Sequence, residues 1–344
     1  MTDAHTEPAG LDLPRLTTYL ETHHPSLVDG PLSAHLISGG KSNLTYELSD
    51  GHRRLVLRRP PLGHVLATAH DMAREYRVMT ALSGTAVPVP RTHLLCDDPD
   101  VLGAPFYVMD LVEGTPYRTA AELEPLGADR VRRISERLVD TLAALHAVDP
   151  VTVGLQDFGR PDGFLERQVR RWHTQLGHSH SRTLDGADEL HRLLVARLPE
   201  SGGSGIVHGD YRLDNLLVDA HDEVAAVLDW EMATLGDPLT DVALLLVYQR
   251  LARTDAAYAV STVSRAPGFL DDEALLSRYA TASGRDLADL DFHLGLAYYK
   301  LAVILEGIYF RYREGKTVGA GFDSIGAGVE PLLQAGISAL APHP

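Results

Sequence analysis

The chain has 344 residues, 44% of them hydrophobic and 23% charged, a balance that fits a globular protein long enough for two lobes. Its formal net charge of −16 argues against general nucleic-acid binding, because phosphates would be repelled. A single cysteine, Cys96, excludes an internal disulfide and points to a reducing cytoplasm as the compartment.

The acidic balance suits either a cationic substrate or a merely solubilising surface. Of the 31 basic residues only Lys41, Lys300 and Lys316 are lysines, so 28 (31 less 3) are arginines. The start, MTDAHTEPAGLDLP, has neither a basic region nor an apolar run, so no signal peptide is expected. The most apolar long segment, LGLAYYKLAVILEGIYF, contains Lys300 and Glu306 and reads as a core helix, so no membrane partner is expected.

In chain order, residues 1–10 read as a loose tail, and LDLPRLTTYLETHH as a short helix with Pro14 in its first turn. From Leu32 the period changes to two. LSAHLIS, LTYELS and RRLVLRR read as strands, with Asp50-Gly51 a hairpin signal between the last two. VLATAHDMAREYRVMTAL predicts an amphipathic helix, and RTHLLC and PFYVMDLVEG two more strands around the turn DDPDVLG. After Gly114 the texture becomes helical, in VRRISERLVDTLAALHAV and most of 164–198. A hairpin of short strands is expected over 206–229 and helices over 238–340. The fold class is therefore α+β and bilobal, an antiparallel sheet lobe with one main helix over 1–110 and a mostly helical lobe over 111–344.

The stretch IVHGDYRLDNLLV, Ile206 to Val218, sets polar residues between two apolar runs. Such groups are either tightly hydrogen-bonded or there for chemistry. Asp210 and Asn215 lie five residues apart, and Asp229 follows one predicted hairpin later in VAAVLDWE. An amide oxygen and a carboxylate are hard ligands suited to Mg²⁺, and Asp210 would then face whatever stands before the metal. An aspartate, an asparagine five on and a later metal-binding aspartate is a phosphotransfer pattern. The alternative is a turn network that only caps strands.

Phosphotransfer makes further demands on the front half. Gly39, Gly40, Lys41, Ser42 and Asn43, in SGGKSN, join two predicted strands and offer small residues whose N–H groups would face phosphates, although plain hairpin turns use the same residues. A phosphate-gripping cation should lie on the third strand beside a helical glutamate. Arg58 and Glu75 stand there, where a surface charge and an exposed helix residue are the plainer readings. A kinase normally uses lysine, and none lies between Lys41 and Lys300. Either Arg58 does the job, since arginine keeps its charge and grips phosphate bidentately, or Lys41 reaches in from the loop.

These stretches resemble the aminoglycoside phosphotransferase family of protein-kinase-like folds, most closely the branch that stands alone or is fused to acyl-CoA dehydrogenases. The resemblance rests on SGGKSNLTYEL, LVLRRPP, AHDMAREYRVMTAL, PFYVMDLVEG, RQVRRWHTQ, VHGDYRLDNLLV, VLDWEMATLGDPLTDVA and GIYFRYREG. It implies that Asp210 is the catalytic aspartate, that Asn215 and Asp229 hold Mg²⁺, and that Glu75 partners the strand cation. It also implies that Met109, Asp110 and Leu111 form a hinge whose backbone meets the adenine of ATP, and that His208 and Asp241 brace the catalytic loop. In this branch arginine is common at the position of Arg58.

For the acceptor, RQVRRWHTQ carries Arg167, Arg170, Arg171 and Trp172 at helical spacing, either to meet an anion such as a CoA thioester or as a solvated face with Trp172 in the core. The branch resemblance implies phosphorylation of a hydroxyacyl-CoA. An aminoglycoside or macrolide antibiotic kinase and a non-catalytic nucleotide-binding pseudokinase stay open. A protein kinase is disfavoured, because Gly236-Asp237-Pro238 follows Asp229 with no room for an activation segment.

Overall fold

The structure is a computed structural model that describes residues 8, 10–37, 43–62, 71–179, 182–199, 204–254, 259–316 and 322–341. In chain order the elements are α1 (Leu13–His23), β1 (Ser33–Leu36), β2 (Leu44–Ser49), β3 (Arg54–Arg59), α2 (Met72–Leu82), β4 (Thr92–Cys96), the single turn α3 (Pro99–Leu102) and β5 (Phe106–Asp110). There follow α4 (Ala120–Leu123), α5 (Ala128–Ala147), α6 (Phe164–Ser179), α7 (Ala187–Ala196), β6 (Gly205–Val207), β7 (Leu216–Val218), β8 (Val224–Val227) and β9 (Thr234–Gly236). The chain ends with α8 (Leu239–Arg253), α9 (Asp272–Ser283), α10 (Leu290–Arg313) and α11 (Val329–Ala339). The chain divides into two units. One joins the residues up to Gly114 to Ala225–Ala233, and the other comprises Thr115–Val224 and the residues from Thr234 onward.

In the first unit, alternating strands build an antiparallel sheet of order β1-β2-β3-β5-β4. The β2–β3 hairpin pairs Ser49 with Arg54. Its turn is organised by Asp50, whose carboxylate accepts from the N–H groups of Arg53 (2.6 Å), Asp29 (2.9 Å) and His52 (2.9 Å). Those three donors hold the Asp50 carboxyl down at about 2. Helix α1 is capped by Asp12, which accepts from the Arg15 N–H at 3.0 Å, and buries Leu16 and Leu20 one turn apart. They pack with Tyr46, Leu48, Leu57, Phe106 and Val108 in one apolar core.

Helix α2 starts at Asp71, which caps the Arg74 N–H at 3.0 Å, and ends before Ser83. The expected helix began at 65, and residues 63–70 lie outside those described. Its buried face reads Met72, Glu75, Val78, Met79, Leu82. A glutamate in the middle of an apolar stripe requires a cation close by.

The second unit is helical, as its apolar periodicity dictates. Helix α5 buries Val131, Ile134, Leu138, Leu142 and Leu145 along one face. Helix α10 is apolar nearly all round and packs against α6, α8 and α11. Among the described residues no helix is long and apolar enough to cross a membrane. One expectation is corrected here. The strand at Ile206-Val207 belongs to no local hairpin; β6 pairs antiparallel with β9, Ile206 opposite Leu235.

Candidate functional site

The loop after β6 is fixed from below by one carboxylate. Asp241, fully buried in the first turn of α8, accepts from the backbone N–H of His208 (2.7 Å, Oδ2) and of Gly209 (2.8 Å, Oδ1). An anion at a helix N-terminus is also favoured by the helix dipole. His146 completes the base, with Nε2 at 3.2 Å from Asp241 Oδ2 and Nδ1 at 2.7 Å from the Tyr279 hydroxyl. The Asp241 carboxylate can only accept, so Nε2 donates to it, and in the neutral ring Nδ1 accepts from the Tyr279 hydroxyl. Burial lowers the His146 pKa more than Asp241 raises it. Burial works against the Asp241 charge, but the His146 bond, His208 and the Gly209 N–H outweigh it and hold the carboxyl below its usual range.

Gly209 has φ +86°, a conformation that side chains resist, so glycine is the natural residue there. Its carbonyl accepts from Lys300 Nζ at 2.9 Å, so the loop is gripped through both N–H and C=O. Burial lowers the Lys300 pKa despite Asp210 and Asp241 nearby.

Asp210 therefore sits on a braced turn, with its side chain 25% exposed. The Tyr248 hydroxyl donates to Oδ1 at 2.8 Å and Arg212 Nε to Oδ2 at 3.2 Å. Asn215, at the end of a 3₁₀ turn, gives its amide N–H groups to the Asp210 carbonyl (2.9 Å) and to Oδ2 (3.2 Å). The Asn215 carbonyl oxygen is thereby left as a hard donor. Arg212 Nη1 lies 3.1 Å from Asp214 Oδ2, an ion pair by distance although its N–H is not aimed at that oxygen. Burial raises the Asp214 pKa in spite of Arg212 and Arg118.

In the first unit the cation demanded by α2 is Arg58. It lies on β3, the central strand of the sheet, opposite Thr45 and Tyr107, so it is no edge-strand surface charge. Its Nε is 3.1 Å from Glu75 Oε2, and its Nη2 donates to Asp229 Oδ1 at 2.7 Å. Desolvation opposes the charge, but Glu75, Tyr107 and Asp229 outweigh it and hold the guanidinium above its ordinary pKa. Glu75 also accepts from the Tyr107 hydroxyl (3.0 Å) and the Asn43 amide (3.2 Å), while burial pushes its pKa up. Asn43 reaches Glu231 as well, at 3.4 Å. Asp229 has φ +64°, a left-handed conformation unusual outside glycine, of the kind that recurs at functional sites.

Of the residues proposed from sequence, Arg58, Glu75, Asn43 and Asp229 come together in the first unit, and Asp210 and Asn215 in the second. Gly39, Gly40, Lys41 and Ser42 lie outside the described residues. Met109 and Asp110 end β5 and Leu111 follows it; the Asp110 N–H donates to the Arg91 carbonyl at 2.9 Å. Trp172 is buried at 4% exposure, with the Arg171 guanidinium 5.3 Å and Lys300 Nζ 5.8 Å from its ring. Arg167 donates to the backbone carbonyls of Arg160 and Asp162, a structural use. Arg212, Tyr248, His146 and Lys300 were not foreseen as parts of a site. The arginine inside the HGDYRLDN run was legible, whereas the other three come from distant helices. Among the described residues no three His, Cys, Asp or Glu side chains form a metal cluster.

Residues 33–290 match the model of the phosphotransferase enzyme family. Acyl-CoA dehydrogenase family member 11 of Gallus gallus is 34% identical over 320 residues, covering 91% of this chain and 41% of that protein. The Homo sapiens protein of the same name is 34% identical over 304 residues, 87% of this chain and 39% of its own. The chain thus spans about two fifths of the length of the curated relatives it matches. A crystal structure from Ralstonia eutropha JMP134, provisionally assigned as an aminoglycoside phosphotransferase, superposes with a TM-score of 0.85 at 31% identity, covering 96% of this chain and 98% of that one. Aminoglycoside phosphotransferase APH(4)-Ia, solved with AMP-PNP and hygromycin B, shares the fold at a TM-score of 0.63 and 15% identity, covering 95% and 99%.

Proposed function

The chain belongs to the phosphotransferase enzyme family, and on that premise we propose that it moves the γ-phosphoryl group of ATP to a hydroxyl of a small molecule, with Mg²⁺. The observation that carries this reading is the Asp210 turn: a part-exposed carboxylate whose backbone is clamped by Asp241 and Lys300 and whose oxygens are aimed by Tyr248, Arg212 and Asn215. In-line transfer needs positioning more than covalent help. The acceptor oxygen would bond to the γ-phosphorus as the bond from that phosphorus to the bridging oxygen breaks, and ADP would leave with the electron pair. Asp210 would orient the hydroxyl and take its proton late. Asn215 and Asp229 would hold Mg²⁺, which would neutralise charge on the phosphates. Arg58, fixed by Glu75, would reach the nucleotide phosphates, and the Gly39–Asn43 segment would cover them. The Met109–Leu111 backbone would meet adenine. In this reading residues 1–110 form a nucleotide lobe and 111–344 a catalytic and substrate lobe.

The relatives are named for acyl-CoA dehydrogenases, which favours a CoA thioester, and with the hydroxyl that phosphotransfer requires the acceptor would be a hydroxyacyl-CoA. Names of structural neighbours keep an aminoglycoside or macrolide acceptor as the second reading. The lone Cys96, buried and free, fits a reducing cytoplasm. The test is mass spectrometry of a hydroxyacyl-CoA and a panel of other hydroxyl metabolites after incubation with Mg-ATP. A product heavier by one phosphoryl group, lost in Asp210→Asn, is expected. ATP binding with no phosphorylated product from any acceptor would favour a non-catalytic module instead, and a drug as the sole acceptor would favour the second reading.

A further inference from the structure

Outside the Asp210 turn, the second unit carries a cavity of about 770 Å³ between α6 and α10, a size that suits a small organic ligand. Four arginines line it, Arg167, Arg170, Arg171 and Arg311, together with His178, and among the described residues no carboxylate does. In a chain with 47 acidic against 31 basic residues, such a one-signed lining is unexpected by composition. The arginines differ in what they already hold. Arg167 is spent on two backbone carbonyls, and Arg170 comes only within 3.9 Å of Glu166, with both side chains 66% exposed. Arg171 and Arg311 have no carboxylate within salt-bridge distance among the described residues.

The cavity is coupled to the Asp210 turn through named contacts. Arg171 lies over one ring, Trp172; Lys300 Nζ lies near the same ring, and that ammonium donates to the carbonyl of Gly209, the residue before Asp210. We propose that the cavity docks the anionic end of the acceptor, taking a phosphate or pyrophosphate group between Arg171 and Arg311 while the rest of the molecule extends toward Asp210. This rests on the phosphotransferase reading and adds to it the charge of the acceptor. Guanidinium forks match phosphate oxygens bidentately, and an uncompensated pair of them binds anions without giving up an existing partner. The same lining repels a polycationic acceptor such as an aminoglycoside.

The experiment is calorimetric titration of the full chain with inorganic pyrophosphate at low ionic strength, after ADP and Mg²⁺ have filled the nucleotide site. The arms are the wild type, Arg171→Gln/Arg311→Gln and Arg171→Lys/Arg311→Lys, each checked for an unchanged melting temperature. Pyrophosphate should bind the wild type, bind the glutamine variant at least about 10-fold more weakly, and recover in part with lysine. Coenzyme A should displace pyrophosphate, which assigns the site to an acceptor's phosphate end rather than to free inorganic anion. Equal affinity in wild type and glutamine variant, no binding to the wild type, or no displacement by coenzyme A overturns the proposal. Failure of ADP to bind in the first step counts against the kinase reading itself, and the acceptor assignment falls with it even where pyrophosphate binds.

Discussion

Asp241→Asn tests whether one buried carboxylate holds the catalytic turn. The aspartate accepts three hydrogen bonds, from the N–H groups of His208 and Gly209 and from His146. Asparagine keeps one acceptor oxygen and turns an NH₂ toward at least one of these donors. The best orientation keeps His208 and His146 and orphans the Gly209 N–H, which costs about 1–3 kcal/mol. The two surviving bonds lose their charge assistance, roughly another 1 kcal/mol each, partly offset because a buried charge no longer has to be desolvated. A net local loss of about 3 kcal/mol is expected, on the order of a 100-fold faster amide exchange at His208 and Gly209, read by hydrogen–deuterium exchange. The pH dependence has a definite sign. The Asp241 pKa is depressed in the folded chain, so its stabilisation is present above the unfolded value of about 4 and is lost as pH falls through the folded value. The gap between wild type and variant should therefore be flat from pH 5 to 9 and narrow below pH 4. An exchange change under about 5-fold, or a gap that widens in acid, refutes this account of the turn.

Three further outcomes follow from the same contacts. Arg58→Ala leaves Glu75 buried without its cation and should destabilise the first unit by about 3–5 kcal/mol, with Glu75→Gln recovering part of it; additive losses in thermal melts would show that the pair is not coupled. Lys300→Met removes an ammonium whose pKa burial depresses, so the wild type should gain stability between neutral pH and about 10 and the variant should not; parallel profiles in urea titrations would contradict this. Gly268→Ala drives a Cβ into the Ala128 carbonyl oxygen at φ +96°, and should cost at least about 2 kcal/mol by chemical denaturation.

Much of the architecture was legible because its elements announce themselves locally. The five-stranded sheet follows from period-two runs and the Asp50-Gly51 turn, and α1 and α5 from their apolar stripes. The pairing of β6 with β9 was not legible, since three-residue strands carry no period and their partners lie 27 or more residues apart. For the candidate site, spacing marked Asp210, Asn215 and Asp229 because those residues share one stretch of chain. Tyr248 and Lys300 escaped for the opposite reason: each is one polar residue on a distant helix, Lys300 on one read as core, and only tertiary packing sets it beside the turn. Glu75 was intermediate. The phosphotransfer pattern asked for a helical glutamate beside a strand cation, so Glu75 and Arg58 could be named, but the burial of Glu75 and its additional donors Tyr107 and Asn43 could not.

The excursion of Ala225–Ala233 into the first unit bears on how this chain can be dissected. A fragment cut after Gly114 would forfeit Asp229, the anion on Arg58 Nη2, and the fully buried Trp230. It would expose apolar surface and leave a guanidinium half-neutralised, the recipe for an insoluble product. Split-protein or domain-swap designs should graft the nine-residue return segment along with the N-terminal piece, because the first unit is assembled from two separate lengths of polypeptide.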